Sequence, residues 1–174
     1  PSLVPTGYRC PAATTLEIPC EAGTFCPDGS AAAQYCPDGT YSSAQKLVAS
    51  HQCIPCRIGH WCAAGSSVPT ACTAGRFAES NGSAACAPCP LGKYEPLEGQ
   101  TGCRSCTHAH FCPRGSVQPT VCGPGTYGNR PGLQGQAECS DARPGMYSSV
   151  GEEAPCAAGR YGRLPGQVNA QCSG

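Results

Sequence analysis

One phrase governs this chain, Cys-x-x-Gly-x-aromatic, and it returns from one end to the other. It occurs as CEAGTF at Cys20, CPDGTY at Cys36, CRIGHW at Cys56, CTAGRF at Cys72, CPLGKY at Cys89, CGPGTY at Cys122 and CAAGRY at Cys156. Two copies are degenerate: CTHAHF at Cys106 carries Ala109 in the glycine slot, and ARPGMY at Ala142 has lost the cysteine. VPTGYR at Val4 reads as an eroded tenth. Nine of the eleven aromatic residues fill the same slot: Phe25, Tyr41, Trp61, Phe77, Tyr94, Phe111, Tyr127, Tyr147 and Tyr161. Copies start 14 to 20 residues apart. Units that short cannot bury a core alone, so each must lean on its neighbours.

A longer period lies on top. The copies at 20, 36 and 56 return at 106, 122 and 142, each shifted by 86 residues. Cys53-x2-Cys56-x5-Cys62-x9-Cys72 also recurs with unchanged spacing as Cys103-x2-Cys106-x5-Cys112-x9-Cys122. Duplication of a multi-unit block accounts for both, and divides the chain into a degenerate N-terminal repeat (1–19), a first block (20–105) and a second, partly degenerate block (106–174).

Each unit has a simple physical reading. The glycine supplies the positive φ of a tight turn just after the cysteine. The aromatic opens a short extended segment and lays its ring on a disulfide or on the next unit. A second turn follows, as at Asn81-Gly82, Glu98-Gly99 or Pro131-Gly132, before the chain returns to a closing cysteine. Helical periodicity is absent. The expected fold is small and disulfide-rich: an elongated, solenoid-like stack of short β-hairpin mini-repeats with little regular secondary structure.

Composition agrees. Leu, Ile, Val and Phe together number only 20 of 174 residues, too few for a conventional core. Without its 17 cysteines the chain would read as disordered. So much cysteine points to a disulfide scaffold made in an oxidising compartment, hence an extracellular or cell-surface location. Eleven basic residues balance eleven acidic ones with no run of either sign, which excludes a nucleic-acid binder. No apolar stretch approaches the roughly 20 residues of a membrane span. The opening PSLVPTGYRC is not a charged-then-apolar leader, so the chain is expected to be a piece of a longer precursor.

The simplest pairing joins each cysteine to the next: Cys20–Cys26, Cys36–Cys53, Cys56–Cys62, Cys72–Cys86, Cys89–Cys103, Cys106–Cys112, Cys122–Cys139 and Cys156–Cys172. Cys10 is left over, with Val4 where its partner belongs. The degenerate unit favours this order. Ala142 replaces an opening cysteine and Glu153 a closing one, so one whole bond disappears and none is orphaned. An interleaved order would strand Cys139 and Cys156. The Cys-x9-Cys spacings at 10/20, 26/36, 62/72 and 112/122 are as regular as the tight Cys-x5-Cys rings, and spacing alone does not choose between them.

These residues resemble the ephrin-receptor-like cysteine-rich repeat and, more distantly, the cysteine-rich modules of tumour-necrosis-factor receptors. CAPCPLGKYEPLEGQTGCRSC (86–106) carries the likeness most fully. The resemblance implies an extracellular, rod-like, disulfide-rich segment. The CEAGTFC, CRIGHWC and CTHAHFC units depart from that family's pattern and are more like the long arrays of giant surface proteins. No ligand-binding residue carries over.

Chemistry finds little purchase. Cys103, Cys106, His108 and His110 have the look of a zinc knuckle, but Cys53 and Cys56 repeat the cysteines without a following His-x-His. The Cys-x-x-Cys pairs lack the βαβ setting of a thioredoxin-like site. Asp28 and Asp38 precede glycine as turn formers, without the alternating carboxylates of a calcium loop. Neither His51 nor His60 has a nucleophile at a supporting spacing. No enzyme activity, cofactor or metal is expected. Asn81-Gly82-Ser83 is the one N-glycosylation sequon, at an expected hairpin tip. The sequence therefore reads as a non-enzymatic extracellular structural segment. It would space or assemble parts of a large cell-surface or filament protein, with other extracellular or self-assembling subunits as partners. The rival reading is a receptor ectodomain stalk that binds a protein ligand.

Overall fold

The computed structural model describes residues 4–11 and 16–172; parts of the N-terminal repeat lie outside them. Contacts divide the chain into two bodies. One comprises Pro1–Thr73, Phe77–Ala87 and Glu98–Thr101, the other Ala74–Arg76, Pro88–Leu97 and Gly102–Gly174.

The regular structure is a succession of nine two-stranded antiparallel hairpins among the described residues. Typical are Thr24–Phe25 with Gln34–Tyr35, Thr40–Tyr41 with Ile54–Pro55, and Lys93–Tyr94 with Arg104–Ser105. Strands are two residues long except in Met146–Ser148 with Glu153–Pro155, which has three pairs. Two single turns of 3-10 helix, Ser50–Gln52 and Gln136–Glu138, complete the pattern. They stand 86 residues apart, as the block duplication requires. The fold is the stack of disulfide-rich mini-repeats expected from the sequence.

The turn that starts each hairpin follows from the motif. Thr40 N–H bonds to Pro37 C=O at 3.0 Å across Asp38-Gly39, and Thr126 N–H to Gly123 C=O at 3.0 Å across Pro124-Gly125. Gly39 and Gly125 both sit at φ +79°, the left-handed third position of a type II turn, which glycine fills at no steric cost. Thr24, Thr40 and Thr126 reinforce it, each hydroxyl donating to the turn's first carbonyl.

Very little apolar material is enclosed. The fully buried side chains are almost all half-cystines, joined by Leu133. In the first body Phe25 packs against Cys36, Cys53 and Leu47. In the second, Phe111 bridges Leu133 as Phe25 bridges Leu47. The same backbone pairing recurs 86 residues on.

Candidate functional site: the joints between repeat units

Successive units are joined through backbone groups by three recurring hydrogen bonds. First, the motif glycine donates to the carbonyl that follows the aromatic of the next unit. In the first body these are Gly23 to Ser42, Gly39 to Cys62 and Gly59 to Ala78, each 2.8 Å. In the second they are Gly75 to Glu95 (2.7 Å), Gly92 to Cys112 (2.9 Å) and Gly125 to Ser148 (2.7 Å). Second, the N–H after the aromatic donates to the next unit's hairpin tip, as Cys62 does to Ser83 and Cys112 to Leu133. Third, the tip donates back to the carbonyl of the preceding motif cysteine. Gly82 to Cys56 and Gly99 to Cys72 (both 2.7 Å) are examples, with Gly115 to Cys89 (2.8 Å) in the second body. All three use main-chain atoms, so neighbouring side chains are free to vary.

Close approach fixes where glycine must stand. A Cβ on Gly39 would collide with the carbonyl oxygen of Gly82, and one on Gly92 with that of Gly132. Ala109 occupies the same slot at φ +66° and is buried. Gly128 and Gly151 leave it room: a Cβ on either would strike the Ala109 backbone.

Sixteen cysteines form eight disulfides: Cys20–Cys26, Cys36–Cys53, Cys56–Cys62, Cys72–Cys86, Cys89–Cys103, Cys106–Cys112, Cys122–Cys139 and Cys156–Cys172. Their Cα atoms lie 5.6–6.2 Å apart, the ordinary span of a disulfide. Cys10 is half-buried and in no disulfide. Cys103 and Cys106 are therefore bound to Cys89 and Cys112 rather than held as thiolates. The ring of His110 bonds to the His108 carbonyl at 2.7 Å. Asn81 is exposed, and its side-chain oxygen accepts the Ile58 N–H at 3.1 Å. Asp38 does the same for Ala64 at 2.8 Å, so both side chains fasten one unit to the next.

The residue after each aromatic is either a half-cystine or a small or polar group turned inward. Ser42 accepts the Ala44 N–H at 3.1 Å. Glu95, only 3% exposed, accepts the Leu97 N–H at 3.1 Å and lies 3.4 Å from the Arg104 guanidinium. Ser148 donates to the Thr126 carbonyl at 2.6 Å. The sequence marks none of these as special.

The unit that begins at Ala142, which has lost its cysteine pair, is closed differently. Glu153 pairs with Ser148 in register, the position a closing cysteine takes elsewhere. Its carboxylate accepts the Arg143 backbone N–H at 2.7 Å and three further bonds from the guanidinium at 2.7–3.1 Å. The Glu153 side chain is 8% exposed and that of Arg143 67%. This side-chain hydrogen bond holds the Glu153 carboxyl below its ordinary range and raises the arginine. Ala142 is fully buried in the vacated cysteine site. Its N–H still bonds Gly125 C=O and its C=O still accepts Gly166 N–H, both at 2.8 Å. The joints are kept although the disulfide is gone.

This geometry defines a class of protein, the cysteine-rich module built of disulfide-closed hairpin repeats. A protein-family model described as tyrosine-protein kinase ephrin type A/B receptor-like matches residues 75–111, a stretch that contains the motif copies at Cys89 and Cys106 and the whole segment 86–106 that carries the resemblance in the sequence. No curated protein matches the chain. Among the described residues no helix is long and apolar enough to cross a membrane.

Proposed function

We propose that the chain is a non-enzymatic structural segment of an extracellular or cell-surface protein. It is a rod-like, disulfide-stapled repeat array that spaces or assembles other parts, such as the subunits of a filament. The observation that carries this reading is the recurrence of the same main-chain bonds at successive joints whatever the side chains. A joint of that kind can be repeated many times, which suits a spacer. The glycine-, serine- and proline-rich tips and the balanced charge suit close lateral packing, and Asn81 is exposed for a glycan. The array would meet other extracellular subunits rather than a small molecule.

Small-angle scattering of the secreted, oxidised chain tests the proposal. A radius of gyration well above the roughly 16 Å of a compact domain this size is expected, and a value near 16 Å would overturn it. Treatment with peptide-N-glycosidase should lower the mass of the secreted chain, and Asn81→Gln should abolish that shift. A second reading, a stalk that touches a protein ligand, draws support from exposed tip valines, Val68, Val117, Val150 and Val168.

A further inference from the structure

Eight units each hold a disulfide, and among them stands one closed by an ion pair, a difference with a chemical consequence. We propose that the 142–155 hairpin is an acid-released joint: protonating Glu153 opens this unit alone while its disulfide-closed neighbours stay shut. It is indifferent to reductants for the same reason.

The Glu153 side chain, 8% exposed beneath Arg143, takes the closing-cysteine position, and it receives all the bonds that hold the hairpin's mouth to Arg143. Protonated, it cannot form the two-pronged pair with a guanidinium, and the neutral acid then faces the Arg143 N–H with weaker acceptors. The sign follows from the lowered carboxyl. A folded value below the unfolded one gives stability that is present above the unfolded range and lost as pH falls through the folded value. Other ionisable groups on the packed elements are Tyr147 and Glu152 on the same hairpin, Tyr127, Arg130, Glu138 and Asp141 on the preceding one, and Arg160, Tyr161 and Arg163 on the Cys156–Cys172 segment. His108 and His110 flank Ala109, whose backbone Gly151 approaches, and Glu138 is paired with Arg130. Of these only Tyr127 acts on the pair, by raising Arg143.

Amide protection factors, corrected for intrinsic exchange, read the opening residue by residue in the full oxidised chain. Between neutral pH and pH 3, protection across 143–155 should fall at least ten-fold, while that of the disulfide-closed 72–86 loop, whose one carboxylate is the exposed Glu79, holds. Glu153→Gln should show the reduced protection already at neutral pH and little further change. An Ala142→Cys/Glu153→Cys pair, if it oxidises, should abolish the acid response. Unchanged protection at 143–155 in acid, an equal loss at 72–86, or a wild-type response in Glu153→Gln would overturn the proposal.

Discussion

Gly59 and Gly99 meet backbone to backbone: a Cβ built on Gly59 would overlap the carbonyl oxygen of Gly99. The contact is one-sided. A Cβ on Gly99 would find its nearest atoms, Ala71 Cβ and His60 Cε1, at 3.9 Å. Both glycines have positive φ, +75° and +69°. Gly99→Ala should therefore cost only the left-handed penalty, about 1–2 kcal/mol. Gly59→Ala adds a backbone collision of about 1–3 kcal/mol and should be clearly the worse of the two in chemical denaturation. Equal losses would mean that the joint yields freely at this point.

Ala109 offers the reverse experiment. It holds φ +66° in a slot where other units have glycine. Ala109→Gly should relieve about 1–2 kcal/mol of backbone strain and give back roughly 0.4–1 kcal/mol through the freer unfolded chain. The expected net effect is a stabilisation of about 0.5–1 kcal/mol. Loss of stability would show that the buried methyl group contributes more than the strain removes.

The aromatic slot divides into covered and uncovered members. Phe25 is 8% exposed against Cys36, Cys53 and Leu47, whereas Tyr161 is 65% exposed. Truncating Phe25 to Ala should cost about 3–5 kcal/mol and raise amide exchange in the 36–53 loop that its ring covers. Tyr161→Ala should stay within about 0.5 kcal/mol. Similar losses at both positions would contradict packing as the role of the slot.

Glu95 and Arg104 form a lopsided pair. Arg104 is 54% exposed, so Arg104→Ala should cost at most about 1 kcal/mol. Glu95→Ala strips the Leu97 N–H of its acceptor and should cost about 1–3 kcal/mol. Thermal unfolding of the two variants side by side reads the difference.

Much of this fold is written locally, which is why the sequence discloses it. The Cys-x-x-Gly turn, the two-residue strands and the 86-residue recurrence all depend on residues close in the chain or on simple self-similarity. What the sequence hides is non-local. Nothing in CRIGHW says that the Gly59 amide will seek Ala78, because main-chain partners have no side-chain signature. The aromatic ring could lie on its own unit's disulfide or on the next; for Phe25 it is the next, Cys36–Cys53. The rings at Cys20–Cys26, Cys56–Cys62 and Cys106–Cys112 are the short Cys-x5-Cys ones, whereas spacing leaves the longer Cys-x9-Cys loops equally open. Loss of a cysteine pair at 142 and 153 is plain in the sequence, but its replacement by Arg143 is not. An arginine beside a proline on a turn reads as surface charge until its partner is seen.

The closure at Glu153 also changes how the chain would carry load. A disulfide loop cannot lengthen under tension, because its covalent bridge short-circuits the backbone between the two half-cystines. The hairpin from Ala142 to Glu153 has no such bridge. Pulled hard enough to part a guanidinium from a carboxylate, it would pay out roughly 40 Å of extended backbone for its dozen residues. It would close again once the force fell, since no covalent bond had broken. Between the bridged loops Cys122–Cys139 and Cys156–Cys172, one missing cysteine pair thus leaves a recoverable slack link.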